Sequence, residues 1–172
     1  MDLWVGPSAV HPVAVETSAA VRIGATWFGE GMSSACVARL ARMARTYEAP
    51  AGSQLLREGD VTGELSVLLR GRVALSERVP GHDTVTLMTV EPGDIFGWTA
   101  LLAPYQATLT VTATEPVEVV AFDGARLREA LRTDEMLAAC VFRQAFDAVA
   151  HRLFAALGQA LDIYPSETRQ PW

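Results

Sequence analysis

Short apolar runs separated by turn residues, from residue 47 to about 122, are the feature that most constrains how this chain folds. Glycine, proline and aspartate stand between the runs, as in Pro92-Gly93-Asp94. Runs that recur about every 8–12 residues are typical of the strands of a small antiparallel sandwich or barrel. We therefore predict strands at residues 54–57, 65–69, 72–77, 84–90, 108–112 and 117–122.

Helices are predicted on both sides of this β region. Ser33 and Ser34 are a candidate N-cap pair for a helix with apolar residues at helical spacing, which we expect to end before Pro50. Asp123 is a candidate cap for a short helix over 124–131. Residues 1–25 lack clear periodicity and are predicted to be a partly extended arm, with Trp4 as a possible anchor.

A long helix is predicted to begin after Thr133 or Asp134 and to run to about residue 161. At 1.5 Å per residue it would be roughly 42 Å long, which exceeds what a small barrel needs as cover. It carries two apolar stripes, the first formed by Leu137, Val141, Ala145 and Ala148 and the second by Phe142, Phe146, Val149, Leu153, Leu157 and Ala160. Either both stripes form one wide face on the barrel, or the second meets another copy of the chain. The length of the helix favours a twofold homodimer through the second stripe.

The segment 52–131 resembles the cyclic-nucleotide-binding domain of the catabolite-activator (Crp/Fnr-like) superfamily. The resemblance rests on the motifs Glu58-Gly59-Asp60, Val67-Leu68-Leu69-Arg70-Gly71, Pro92-Gly93-Asp94-Ile95-Phe96-Gly97 and Thr110-Val111-Thr112-Ala113. It implies a mainly β fold, an eight-stranded jelly roll (double-stranded β-helix) with flanking helices, and a phosphate-binding cassette at 96–113. The chain then divides into an arm (1–25), a β-roll with its N-terminal helix (26–132), a long C-terminal helix (133–162) and a tail (163–172).

The cassette differs from the pattern of nucleotide-binding members. Trp98 stands where the family has a glutamate that accepts a hydrogen bond from the ribose. Ala107 or, with a shift of one residue, Gln106 stands where the family has an arginine that pairs with the cyclic phosphate. A charge-assisted hydrogen bond is worth about 1.5–3 kcal/mol, so both losses weaken binding of a cyclic nucleotide. No arginine or lysine lies between Arg78 and Arg126.

Residual binding of cyclic AMP or cyclic GMP would therefore need an arginine from elsewhere, such as Arg57 or Arg126. The candidate pocket residues are Phe96, Gly97, Trp98, Thr99, Ala100, Tyr105, Gln106, Ala107 and Thr108. In one interpretation Trp98 and Tyr105 fill the emptied pocket. In the other they line a site for an apolar or planar small ligand, with Gln106 as a polar contact.

Composition excludes several classes of function. The net charge is −6 and every basic residue is arginine, which argues against a nucleic-acid-binding face. The segment 163–172 is too short to fold as a helix-turn-helix domain, so we expect no DNA binding. The N-terminus lacks the features of a signal peptide and no run of about 20 apolar residues occurs, so we expect a cytoplasmic protein without a membrane span.

Catalytic and metal-binding patterns are also missing. His82 is the only histidine within the predicted strand region, so no metal cluster is expected. Haem ligation by His151 or Cys140 is disfavoured because neither stands in a recognisable motif, and we expect no cofactor. Cys36 and Cys140 are interpreted as small buried hydrophobic residues. The chain is thus predicted to be a non-catalytic regulatory or interaction module whose partner is a second copy of itself or another protein. The alternative is that it senses a small ligand.

Overall fold

Two antiparallel sheets and a layer of helices form the protein in a computed structural model that describes residues 11–12, 16–78 and 84–162. The strands are β1 (His11–Pro12), β2 (Ala44–Ala49), β3 (Gln54–Leu56), β4 (Glu64–Arg70), β5 (Val73–Arg78), β6 (Thr84–Val90), β7 (Ile95–Phe96), β8 (Thr110–Ala113) and β9 (Val117–Asp123). The helices are α1 (Glu16–Gly24), α2 (Ser34–Ala41), a 3-10 helix (Trp98–Leu101), α3 (Gly124–Thr133) and α4 (Glu135–Asp162).

The two sheets have the strand orders β1-β2-β9-β4-β7 and β3-β8-β5-β6, which confirms the predicted jelly roll with flanking helices and a long C-terminal helix. One core lies between the sheets and includes Leu68, Val73 and Val119. A second core lies between the larger sheet and the helices and includes Val67, Val120 and Val141. Strands β4 and β9 are therefore buried on both faces, which explains their nearly continuous apolar sequences.

Side-chain caps fix where the helices start: the cap predicted at Asp123 is confirmed, Ser33 is the cap within the predicted pair Ser33-Ser34, and Asp134 rather than Thr133 begins α4. The Ser33 hydroxyl accepts a hydrogen bond from the Cys36 amide at 3.2 Å, and the Asp123 carboxylate accepts one from the Arg126 amide at 2.8 Å. Asp134 accepts from the Leu137 amide at 3.0 Å, so it begins α4. These bonds satisfy amides in the first helical turns, which have no partner within the helix.

The first helix was predicted to end before Pro50, and it ends well short of that residue. Helix α2 ends at Ala41, and residues 44–49 form β2, which pairs along its length with β9. In this register Tyr47 lies opposite Val119, and its ring is almost completely buried between the sheets. Pairing with a distant strand overrides the helical pattern of the local sequence.

The segment expected to be a partly extended arm contains helix α1, whose Ile23 is fully buried. Strand β1 also falls within this segment and pairs with β2. Trp4, the turn around His82 and the segment 163–172 lie outside the described residues. Over the part of the chain that the structure describes, no helix combines the length and the apolar character needed to cross a bilayer.

Candidate functional site

The cassette loop begins at the end of β7 with a glycine that no other residue can easily replace. Gly97 has φ +71°, and a Cβ built there would lie 2.5 Å from the Glu64 carbonyl oxygen. The 3-10 helix Trp98–Leu101 follows directly. The buried hydroxyls of Thr62 and Thr99 share a hydrogen bond of 2.8 Å, which anchors this helix to the chain before β4. The loop is thus held from two sides.

A small cavity of about 30 Å³ lies beneath this loop, inside the roll. That volume is room for about two water molecules, so a cyclic nucleotide does not fit into it in this conformation. The cavity is lined by Leu56, Leu75, Phe96, Gly97, Trp98, Thr99, Ala107, Thr108, Leu109, Val111 and Arg152.

Arg152 of α4 is the one basic residue among those that line this cavity in the described chain. Its guanidinium donates to the Asp94 carboxylate at 3.0 Å and also to the Ile95 carbonyl. The side chain is only 14% exposed. The positive charge at the cassette is therefore held by a carboxylate of the protein itself, and it fastens α4 to the start of β7.

Arg57 and Arg126, the two arginines expected to supply a positive charge if a cyclic nucleotide still bound, do not line the cavity. Arg152 was missed, although a signal was available. It lies four residues after Ala148 and so continues the buried stripe of α4, at a position where an apolar residue would otherwise be expected.

Six of the nine predicted pocket residues line the cavity: Phe96, Gly97, Trp98, Thr99, Ala107 and Thr108. Ala100 is fully buried nearby without lining it. Tyr105 does not fill the pocket, because its ring lies under the guanidinium of Arg128 on the outside of the roll, 4.2 Å from ring centre to Cζ. Gln106 is exposed and pairs through its backbone with Val61. Both interpretations of the pocket had placed Tyr105 in it, and one had also placed Gln106 there. Neither residue lines the cavity.

Trp98 has a second environment on the outer side of the loop. There it borders a groove of about 310 Å³ between the 3-10 helix and α4. All residues that line this groove are apolar: Trp98, Leu101, Leu102, Phe142, Ala145, Phe146 and Val149. The half-buried indole thus separates the inner cavity from the groove.

The two stripes of α4 differ in burial. Leu137, Val141, Ala145 and Ala148 are all at most 9% exposed and pack on the body of the protein. The second stripe is largely open, with exposed fractions of 46% for Phe142, 72% for Phe146, 56% for Leu153 and 51% for Leu157, while Val149 is half-buried. The protein therefore does not bury both stripes as one wide face.

The other residues considered as ligands lie elsewhere. The ring of His151 lies beside that of Trp27, with 5.6 Å between their centres. Cys140 faces Cys36 of α2. Among the described residues no group of three or more histidine, cysteine, aspartate or glutamate side chains is arranged to hold a metal ion.

Comparison with known proteins places residues 47–134, about half of the chain, under the family model of the cyclic nucleotide-binding domain. The crystal structure of a candidate cyclic nucleotide-binding protein from Geobacter metallireducens GS-15 is 30% identical, with a TM-score of 0.69. The match covers 82% of this chain and 99% of that one.

Two curated relatives from mycobacteria match shorter stretches. A CRP-like cAMP-activated global transcriptional regulator of Mycobacterium tuberculosis is 26% identical over 104 residues, which are 60% of this chain and 45% of the regulator. The acetyltransferase Pat of Mycolicibacterium smegmatis is 35% identical over 98 residues, 57% of this chain and 29% of that enzyme. The match thus spans less than half the length of either relative.

Proposed function

Because the chain belongs to the cyclic nucleotide-binding domain family, we propose that it is a non-catalytic regulatory or interaction module that works as a homodimer. In this proposal its cassette does not hold a cyclic nucleotide in the usual way of the family. The observation that carries the proposal is the exposed apolar stripe of α4, which continues into the groove beside Trp98.

A second copy of the chain is the occupant that best fits this surface. The stripe residues Phe142, Phe146, Val149, Leu153 and Leu157 recur every three or four positions, which is the spacing of a helix-to-helix seam. A twofold axis brings the same stripe of another copy onto it, so the surface is complementary to itself. Contiguous exposed apolar surface of this kind is rare on monomers and marks an interface.

The oligomeric state tests this part of the proposal. We expect a dimer in light scattering coupled to size exclusion, and a shift toward monomer in Phe146→Asp and Leu153→Asp because a buried unpaired charge is costly. Val21→Asp is the matched control, since Val21 is 70% exposed but lies on α1. A wild-type protein that stays monomeric at high concentration, or a dimer that survives both α4 variants, would contradict the proposed seam.

The cavity supports the second part of the proposal. A nucleotide would need Trp98 to leave and Arg152 to exchange Asp94 for a phosphate, and both changes disrupt contacts that the protein already makes. We expect no thermal stabilisation by cyclic AMP or cyclic GMP. A ligand present at 100 times its Kd would stabilise the protein by about 2.7 kcal/mol, so binding would be seen easily. Stabilisation of the wild-type protein would refute this part and show that the family ligand is retained.

A pair of double variants tests the reason for the missing affinity. Trp98→Glu with Ala107→Arg supplies the carboxylate and the guanidinium at two positions that line the cavity, so we expect a gain in binding of cyclic AMP. Trp98→Glu with Gln106→Arg is the control, because Gln106 is exposed and does not line the cavity. Equal affinities of the two variants for cyclic AMP would argue against the assigned geometry.

A second candidate function is the sensing of an apolar or planar small molecule in the groove beside Trp98. The wholly apolar lining and the volume of about 310 Å³ favour it. Such a ligand would occupy part of the surface assigned to the second copy. Titration with planar aromatic probes would then quench the fluorescence of Trp98 and lower the fraction of dimer together. Quenching that leaves the dimer intact would place the probe elsewhere.

A further inference from the structure

Cys36 and Cys140 lie 104 positions apart in the sequence and next to each other in the fold, where α2 packs on α4. Their sulfur atoms are 2.6 Å apart, which is closer than two thiols in ordinary contact but longer than a disulfide bond, about 2.05 Å. Both cysteines are free, and the chain contains no others. We propose that they are a reversible redox modification site, in which a small-molecule disulfide converts the two thiols into an intramolecular disulfide that joins α2 to α4.

Neighbouring contacts hold the two helices in the position that this bond requires. On the N-terminal side of Cys140, Arg39 of α2 pairs with Asp134, the cap of α4. On its C-terminal side, Arg143 donates a hydrogen bond to the Gly31 carbonyl at 2.9 Å. Because contacts fix α4 on both sides of Cys140, the two sulfur atoms are held close together. Only a small movement of the two side chains is needed to form the bond.

The unequal exposure of the two cysteines sets the order of the chemistry. Cys36 is 1% exposed, whereas Cys140 is half-buried and can be reached by a small reagent. The Cys140 thiolate attacks the small disulfide, forms a mixed disulfide and releases one small thiol. The Cys36 thiolate then attacks the Cys140 sulfur and releases the second small thiol. Two protein thiols lose two electrons and two protons in total, and the small disulfide gains them.

The consequence lies in α4. The bond would fix the first turns of this helix to α2, only two residues before Phe142, where the exposed stripe begins. It would also close a loop of about a hundred residues, which restricts the unfolded chain. Oxidation therefore stabilises the fold and fixes the direction in which α4 leaves the body. Because the bond lies within one chain, the inference does not depend on the proposed dimer.

Oxidation by glutathione disulfide tests the inference on the whole protein. Burial, followed by the hydrogen bond with Cys36, raises the pKa of the Cys140 thiol, so the reaction is run at about pH 8.5, where more thiolate is present. The product is denatured, alkylated and weighed. We expect a mass lower by two hydrogens, no alkylation and no glutathione adduct, and a monomeric band on a non-reducing gel. The melting temperature should rise on the order of 5–10 °C and return after reduction.

Single-cysteine variants supply the controls. Cys36→Ser should trap a glutathione adduct on Cys140, whereas Cys140→Ser should leave the buried Cys36 unmodified, and neither should gain thermal stability. Two free thiols after prolonged oxidation, two glutathione adducts on one chain, or a bond between chains would each overturn the inference. An internal bond that lowers the melting temperature would also overturn it, because the geometry would then not suit a disulfide.

Discussion

Substitution of Gly97 by alanine should destabilise the protein more than the same change at another left-handed glycine. Two costs add at this position. An L-residue at φ +71° costs about 1–2 kcal/mol. The new Cβ also lies 2.5 Å from the Glu64 carbonyl oxygen, and moving backbone in a packed region costs typically about 1–3 kcal/mol more. We expect a loss of about 2–5 kcal/mol, a large part of the stability of an ordinary domain.

Gly52→Ala is the matched control for this prediction. Gly52 has φ +84°, and no atom lies within 4 Å of a Cβ built there, so only the backbone cost of about 1–2 kcal/mol applies. Both free energies of unfolding would be measured by urea denaturation at one protein concentration, because the proposed dimer would make stability depend on concentration. Equal losses in the two variants would refute the idea that the close approach of the Glu64 carbonyl shapes the cassette loop.

Two further predictions concern side chains that hold the cassette and the sheets. Arg152→Met leaves Asp94 without its partner, so it should lower the free energy of unfolding by about 1–3 kcal/mol and speed amide exchange in the second half of α4. The control Arg132→Met removes a mostly exposed pair and should lower it by less than about 0.5 kcal/mol. Similar losses in the two variants would mean that Arg152 does not fasten the helix. Burial, with the negative charge of Glu64, raises the pKa of Tyr47 to about 12. The stability that the neutral Tyr47 contributes is complete below the unfolded pKa of about 10 and is lost as pH rises to about 12. Over that window the free energy of unfolding of the wild type should fall by about 2–3 kcal/mol relative to Tyr47→Phe. A tyrosinate absorbance that develops fully near pH 10 would contradict this prediction.

Much of the fold could be read from local patterns. The predicted strand 84–90 coincides with β6, and the other predicted strands overlap β3, β4, β5, β8 and β9. The cap at Asp123 was found, and those at Ser33 and Asp134 were located to within one residue, because capping depends on a few neighbouring residues. The different burial of the two α4 stripes followed from helical periodicity in the same way. Strand β2 could not be found by this route, because its partner β9 lies far along the chain.

The cassette shows the same division between local and distant causes. The sequence alone established that the loop has its shaping glycine and lacks its own arginine, since both facts concern residues within one short segment. The packing of α4 brings Arg152 to Asp94, 58 positions away, and brings Cys140 to Cys36, 104 positions away. Tyr105 was predicted to lie in the pocket, but the structure places it on the outer face, under Arg128. Contacts of this kind depend on how a whole helix settles on the sheet, a property of the packed core that no short stretch of sequence contains.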